Sequence, residues 1–237
     1  MVLVSVIIPT YNRYNFLLNA IKSVKSQTHT DIEIIVINDG SSQPEYYSFN
    51  DESVTIIHLK QNSRSIFGYP CVGYVRNEGI KIAKGTYIAF CDDDDIWFPN
   101  KLQLQLDAMK TTKCKMSCTD SLIGNGAYDI NRTYERLLCE RYNITFQTVY
   151  KNEGNNELKD GYPKIWNNKL LIVRNLCICS SVVVDRDLLN SIGNMKTLVN
   201  GREDYDCWKR VTEHTDCAFI ESAQVYYDDN HGDGRLY

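Results

Sequence analysis

Four consecutive aspartates, Asp92 to Asp95, stand in "AFCDDDDIWFP" directly behind an apolar run. Like charges at that spacing repel: a pair about 4 Å apart interacts by roughly 1 kcal/mol in water and about 4 at an effective dielectric of 20. A chain keeps them when a divalent cation or hydrogen-bond donors compensate. If the segment stays extended, Asp92 and Asp94 face one way and Asp93 and Asp95 the other, which points two carboxylates at a common spot. Mg2+ or Mn2+ suits one or two carboxylates with water and substrate phosphates completing the shell, so a diphosphate ligand is the natural companion. An EF-hand loop beginning at Asp92 fails, because Ile96 and Trp97 fall where an oxygen and a glycine are needed. The bland alternative is a solvated acidic turn capping the helix after Pro99. The apolar strand in front and Ile-Trp-Phe-Pro behind weigh against it.

The elements that must position these acids alternate. "VSVIIP", "IEIIVIN", "VTIIHL" and "TYIAF" are continuous β-rich runs, and "YNFLLNAIKSVKSQ" and "VGYVRNEGIKIAKG" carry apolar residues at helical spacing. Strands apolar on both faces with helices between them predict a doubly wound, mostly parallel α/β sheet. Ligands of such sheets bind beyond the carboxyl ends of the strands, where Thr10 to Asn12, Asp39 and the acid run all fall. A helix follows Pro99, and "CKMSCTDSLIG" resumes strand character. Residues 125–170 are polar, with loops and short helices expected. "LCICSSVVVD" is strand-like, "RDLLNSIG" and "GREDYDCWKRVTEH" are helical, and "CAFIES" and "QVYYDD" are two closing strands. No linker interrupts the 237 residues, so one domain is expected, 1–237.

A net charge of −4 excludes a dedicated nucleic-acid binder, which needs a basic surface. No apolar run approaches the roughly 20 residues of a membrane span, leaving peripheral membrane contact as the open form. Nine cysteines suit a reducing, cytoplasmic setting. Cys114-x3-Cys118 and Cys177-x-Cys179 lack a nearby histidine, so buried free thiols are expected rather than a zinc clip.

"VSVIIPTYNR", "IIVINDGSS", "VRNEGIKIAKGTYIAFCDDDDIWFPNKL" and "GREDYDCWKRV" resemble, in content and order, the landmark segments of family 2 glycosyltransferases of the GT-A fold. The resemblance is strong over about residues 3–110 and moderate over 176–231, and it implies a nucleotide-binding half over about 1–110 and an acceptor-binding and catalytic-base half over about 111–237. It implies an inverting, metal-dependent enzyme that moves a sugar from a nucleoside diphosphate donor, UDP by default, to a hydroxyl of a glycan, lipid-linked or protein acceptor. Pro9, Thr10, Tyr11 and Asn12 would then shape the base pocket, Asp39 would bond the base or ribose, and Arg76 would lie near the nucleotide. Asp92 and Asp94 match the DxD metal ligands, with Asp95 an alternative to Asp94 and Asp93 beside the substrate. Asp204 takes the place of the general base. Glu203 and Trp208 are counted with the substrate-binding residues, and His231 matches a histidine near the diphosphate or metal. By residue type alone, Asp39 reads first as an Asp-Gly turn residue and Asp204 as a helix-dipole acid. Tyr142, Phe146, Tyr150, Tyr162 and Trp166 could offer ring faces to an acceptor sugar. The competing expectations are a sugar-nucleotide nucleotidyltransferase, against which "PTYNRYN" lacks a glycine-rich phosphate loop, and a non-catalytic nucleotide-sugar-binding module.

Overall fold

The computed structural model describes residues 2–199 and 201–230. β1 (Val4–Thr10), α1 (Tyr14–Lys25), β2 (Ile32–Asn38), the short α2 (Glu45–Ser48) and β3 (Val54–His58) open the chain. α3 (Ser63–Phe67) and α4 (Val72–Ile82) lead into β4 (Tyr87–Phe90), and the acid run separates β4 from β5 (Ile96–Trp97). After α5 (Lys101–Thr112) and β6 (Met116–Gly124) come β7 (Glu135–Arg136), α6 (Asn143–Asn152), β8 (Ile165–Trp166) and α7 (Asn168–Leu171). β9 (Val183–Asp185), α8 (Arg186–Ser191), α9 (Glu203–Thr212) and β10 (Cys217–Asp228) complete the described elements.

Among the described residues all ten strands form one sheet with the path β3-β2-β1-β4-β9-β6-β10-β5; β7 pairs with β6 and β8 with β10. β1 to β4 are mutually parallel, as are β6 and β10, and β9 is the antiparallel element between these blocks. Side chains alternate along β1: Val4, Val6 and Ile8 enter a core layered with Leu17, Ile21 and Val24 of α1 and Leu102 and Met109 of α5. Ile7 faces the opposite core, with Val75 and Ile80 of α4 and Cys207, Trp208 and Val211 of α9. Each fully buried aliphatic side chain contributes about 1.5–3 kcal/mol, so covering both faces is what the continuous apolar runs require. α4 lies so close on β1 that a Cβ at Gly79 would meet Ile7 Cγ2 at 2.7 Å.

Three sequence expectations change. "LCICSSVVVD" is strand only at its end, Val183–Asp185; Cys179–Ser181 form a 3-10 turn, because Gln105 Nε2 and Trp97 Nε1 take the carbonyls of Ser181 and Ser180 away from a ladder. "CAFIES" and "QVYYDD" are one strand, β10, whose register on β6 shifts between Ile220 and Val225. That bulge lets one strand pair with β8 at its start and β5 at its end. Third, β4 stops at Phe90, so the aspartates do not alternate as strand residues. They occupy a turn closed by Asp95 N–H donating to Asp92 O at 3.1 Å.

Candidate active site

The carboxyl ends of β1 and β4 open into a cleft of about 610 Å³, within the range of small-ligand sites. Pro9, Arg13, Arg76, Asp92, Asp93, Asp94, Tyr142, Phe146, Glu203 and Asp204 line it. The acid run and the α9 acids, more than a hundred residues apart in sequence, thus share one cavity.

Two arginines order the acids. Arg13 Nη1 donates to Asp93 Oδ1 at 3.2 Å and Asp94 Oδ2 at 2.9 Å, and all three side chains are buried. Arg76 Nη2 donates to Asp92 Oδ1 at 2.5 Å, and its Nη1 lies 3.7 Å from Glu203 Oε1, so it ties the turn to α9. Glu203 also accepts from Gly73 N–H at 3.1 Å, at the start of α4. A Cβ on Gly73 would come within 2.7 Å of Glu203 Cγ, so only glycine lets the two helix ends meet. Two guanidiniums do not neutralise four aspartates together with Glu203 and Asp204. Burial, then the neighbouring aspartates, raises Asp94 and Asp95 well above the usual carboxylate range, and burial raises Asp93 to about 6. Asp93 Oδ2 and Asp95 Oδ2 are buried without a hydrogen-bond partner. The hard carboxylate oxygens of the cleft-lining Asp92, Asp93 and Asp94, with their excess negative charge, fit a hard divalent cation, whereas Asp95 does not line the cleft.

Asp204 sits in the first turn of α9, accepting from Tyr205 N–H at 2.6 Å and Asn175 Nδ2 at 3.4 Å. Its pKa is raised to about 6, chiefly by burial, with Arg76 opposing. It is therefore mostly a carboxylate at neutral pH while keeping appreciable basicity.

Several expected site residues stand elsewhere. Among Pro9 to Asn12 only Pro9 lines the cleft. Thr10 is fully buried with its hydroxyl 2.6 Å from that of Tyr46, and Tyr11 is half-buried on the following loop. Asn12, at φ 52°, accepts from Ser42 N–H at 2.8 Å and its own N–H donates to Ser41 Oγ, clamping two loops together. Asp39 is fully buried and accepts from Ser63 N–H and Ser63 Oγ at 2.7 Å each, fixing the start of α3 instead of facing the cleft. Asp95 lies behind the turn, accepting from Asp228 N–H at 3.1 Å. Trp208 is core, its ring 5.7 Å from that of Phe90, because its position on α9 faces the sheet. Tyr150 and Trp166 are core as well. His231 lies outside the described residues. Sequence reasoning passed over Arg13, Asn175, Tyr227 and Asp229, which also line the cleft. The arginine of "YNR" carried a signal, a cation next to a loop at the ligand edge; the others carried none.

Residues 5–175 match Glycosyl transferase family 2. An uncharacterized glycosyltransferase of Rickettsia bellii is 45% identical over 111 residues, 45% of this chain and 15% of that protein. The Escherichia coli UDP-Glc:alpha-D-GlcNAc-diphosphoundecaprenol beta-1,3-glucosyltransferase WfgD is 29% identical over 223 residues, 94% of this chain and 75% of its own length. S. aureus TarS 1-349 superposes with a TM-score of 0.65 at 18% identity, over 96% of this chain and 60% of that one, and TarS 1-349 has also been crystallised with UDP-GlcNAc. The chain thus spans only part of the length of several of its relatives. The TarS likeness establishes a GT-A type α/β fold, and the family match over most of the sequence establishes that the chain belongs to glycosyl transferase family 2.

Proposed function

We propose that this chain transfers a sugar, with inversion, from a nucleoside diphosphate sugar to an acceptor hydroxyl, and that the donor is a UDP-sugar. The observation that carries this is the convergence in one cleft of the Asp92–Asp94 turn and Asp204, joined through Arg76 and Glu203. The UDP-bearing relatives support the choice of nucleotide.

In this reading Asp92 and Asp94 hold Mn2+ or Mg2+, which when bound supplies positive charge to the departing diphosphate. Arg13 keeps Asp93 and Asp94 turned toward the cleft, and Arg76 fixes Asp92 relative to α9. Asp204 accepts the proton of the attacking hydroxyl through its carboxylate. Tyr142 and Phe146, with ring centroids 5.5 Å apart, offer an apolar face to the acceptor. A single base suffices for inversion, because no covalent glycosyl intermediate has to form. The acceptor is a hydroxyl of a glycan, lipid-linked or protein compound; among the described residues no helix is long and apolar enough to cross a membrane.

The test is a thermal-shift screen of nucleoside diphosphates and their sugars with and without Mn2+, followed by UDP-release assays with the hit. Stabilisation by a UDP-sugar that requires Mn2+ and is lost in Asp92→Asn and Asp94→Asn is expected. Cation-independent binding, or turnover that survives Asp204→Asn, contradicts the assignment.

A further inference from the structure

The sulfurs of Cys118, Cys177 and Cys217 all lie within 4.8 Å of one another, and those of Cys118 and Cys217 are 3.6 Å apart. The three come from separate places: Cys118 from β6, Cys217 from the start of β10, and Cys177 from the segment leading to the 3-10 turn. On the parallel β6/β10 ladder Cys217 is opposite Met116, so Cys118 stands two residues along on the same face. All three are buried, yet Cys177 also forms part of the cleft wall. A metal bound at about 2.3 Å by three thiolates in one plane spaces its sulfurs by roughly 4 Å, close to what the fold already provides.

We propose that Cys118, Cys177 and Cys217 form a second, thiolate metal site for a soft divalent ion of the zinc class, separate from the acid turn. Thiolates select such ions, whereas the carboxylates of the turn select hard ones. Three thiols and M2+ give a M(SR)3 centre of net charge −1 and release three protons to the buffer, with no change of oxidation state. No fourth cysteine, histidine, aspartate or glutamate among the described residues joins the cluster, which leaves one coordination position to a small ligand arriving past Cys177. The site bears on the cleft through hydrogen bonds. Cys177 N–H donates to Asn175 Oδ1 at 3.2 Å, and Asn175 Nδ2 donates to Asp204 at 3.4 Å, so a metal that fixes Cys177 also fixes a partner of the candidate base.

The test is anaerobic titration of reduced, metal-free protein with Co2+, followed by Zn2+ displacement. Expected are a thiolate-to-cobalt charge-transfer band saturating at one equivalent, about three protons released per ion, and loss of the band when Zn2+ is added. The band should vanish in Cys118→Ala, Cys177→Ala and Cys217→Ala and persist in Cys114→Ala, and in Asp92→Asn, where the acid turn is impaired. Should the core variants fail to fold, the wild-type titration decides alone. Cobalt bound without a thiolate band, or a band that survives Cys177→Ala, overturns the proposal.

Discussion

Replacing Asp204 by asparagine should make the protein more stable and less active at once. The native pKa of Asp204 is about 6 against an ordinary 3.8, a rise of about 2 units caused mainly by burial. A carboxyl whose folded pKa is raised binds protons more readily folded than unfolded. Stability is therefore lost as pH climbs from about 4 to 6, and the full cost, about 3 kcal/mol at 1.36 kcal/mol per unit, is present above pH 6. Asparagine is nearly isosteric, still accepts from Tyr205 N–H, and carries no charge to desolvate. Urea denaturation at pH 7.5 should show Asp204→Asn more stable than wild type by about 3 kcal/mol, and at pH 5 by only about half of that. With Asp204 as the proposed base, wild-type kcat/KM for the acceptor should fall tenfold per pH unit below about pH 6, because only the carboxylate takes up the proton. Equal stability of variant and wild type at both pH values, or an acid limb absent near pH 6, would refute the claim that burial tunes this carboxylate for proton abstraction.

Arg13→Ala leaves buried Asp93 and Asp94 without their cation and should cost about 3–5 kcal/mol; in thermal melts, Mn2+ should restore more stability to the variant than it adds to wild type. Gly73→Ala forces a methyl to within 2.7 Å of Glu203 Cγ and 2.9 Å of the Lys196 carbonyl. The expected loss is about 1–3 kcal/mol, with kcat reduced more than donor KM, because the displaced turn also holds Asp204. Lys101, fully buried 3.9 Å over the Trp97 ring and bonded to Gln105, has its pKa lowered by burial to about 7. Wild-type stability should therefore rise between pH 7 and 10, where the unfolded chain still binds the proton, and Lys101→Met should remove that slope in pH-dependent melts.

How much of this was legible follows from the range of each interaction. The apolar runs and helical spacings named β1 to β4, α1, α4 and α9, because burial on both sheet faces leaves a periodic mark on every strand and helix involved. The acid turn stood out as a costly charge run behind an apolar strand, whereas Asp204 entered only through the family resemblance; the fold sets both on one cleft. Occupancy was not legible. A residue type says that Asp39 can accept hydrogen bonds, but only the approach of α3 assigns them to Ser63. Trp208 was counted with the substrate-binding residues, and only the packing of its helix against Phe90 assigns it to the core. The end of β4 at Phe90 converted an alternating pair of aspartates into a turn gripped by Arg13. Local chemistry is written along the chain, so the sequence by itself determined which groups must be compensated. Which group compensates which depends on contacts between segments as distant as Cys118 and Cys217 or Gly73 and Glu203, and only the packed structure decides those.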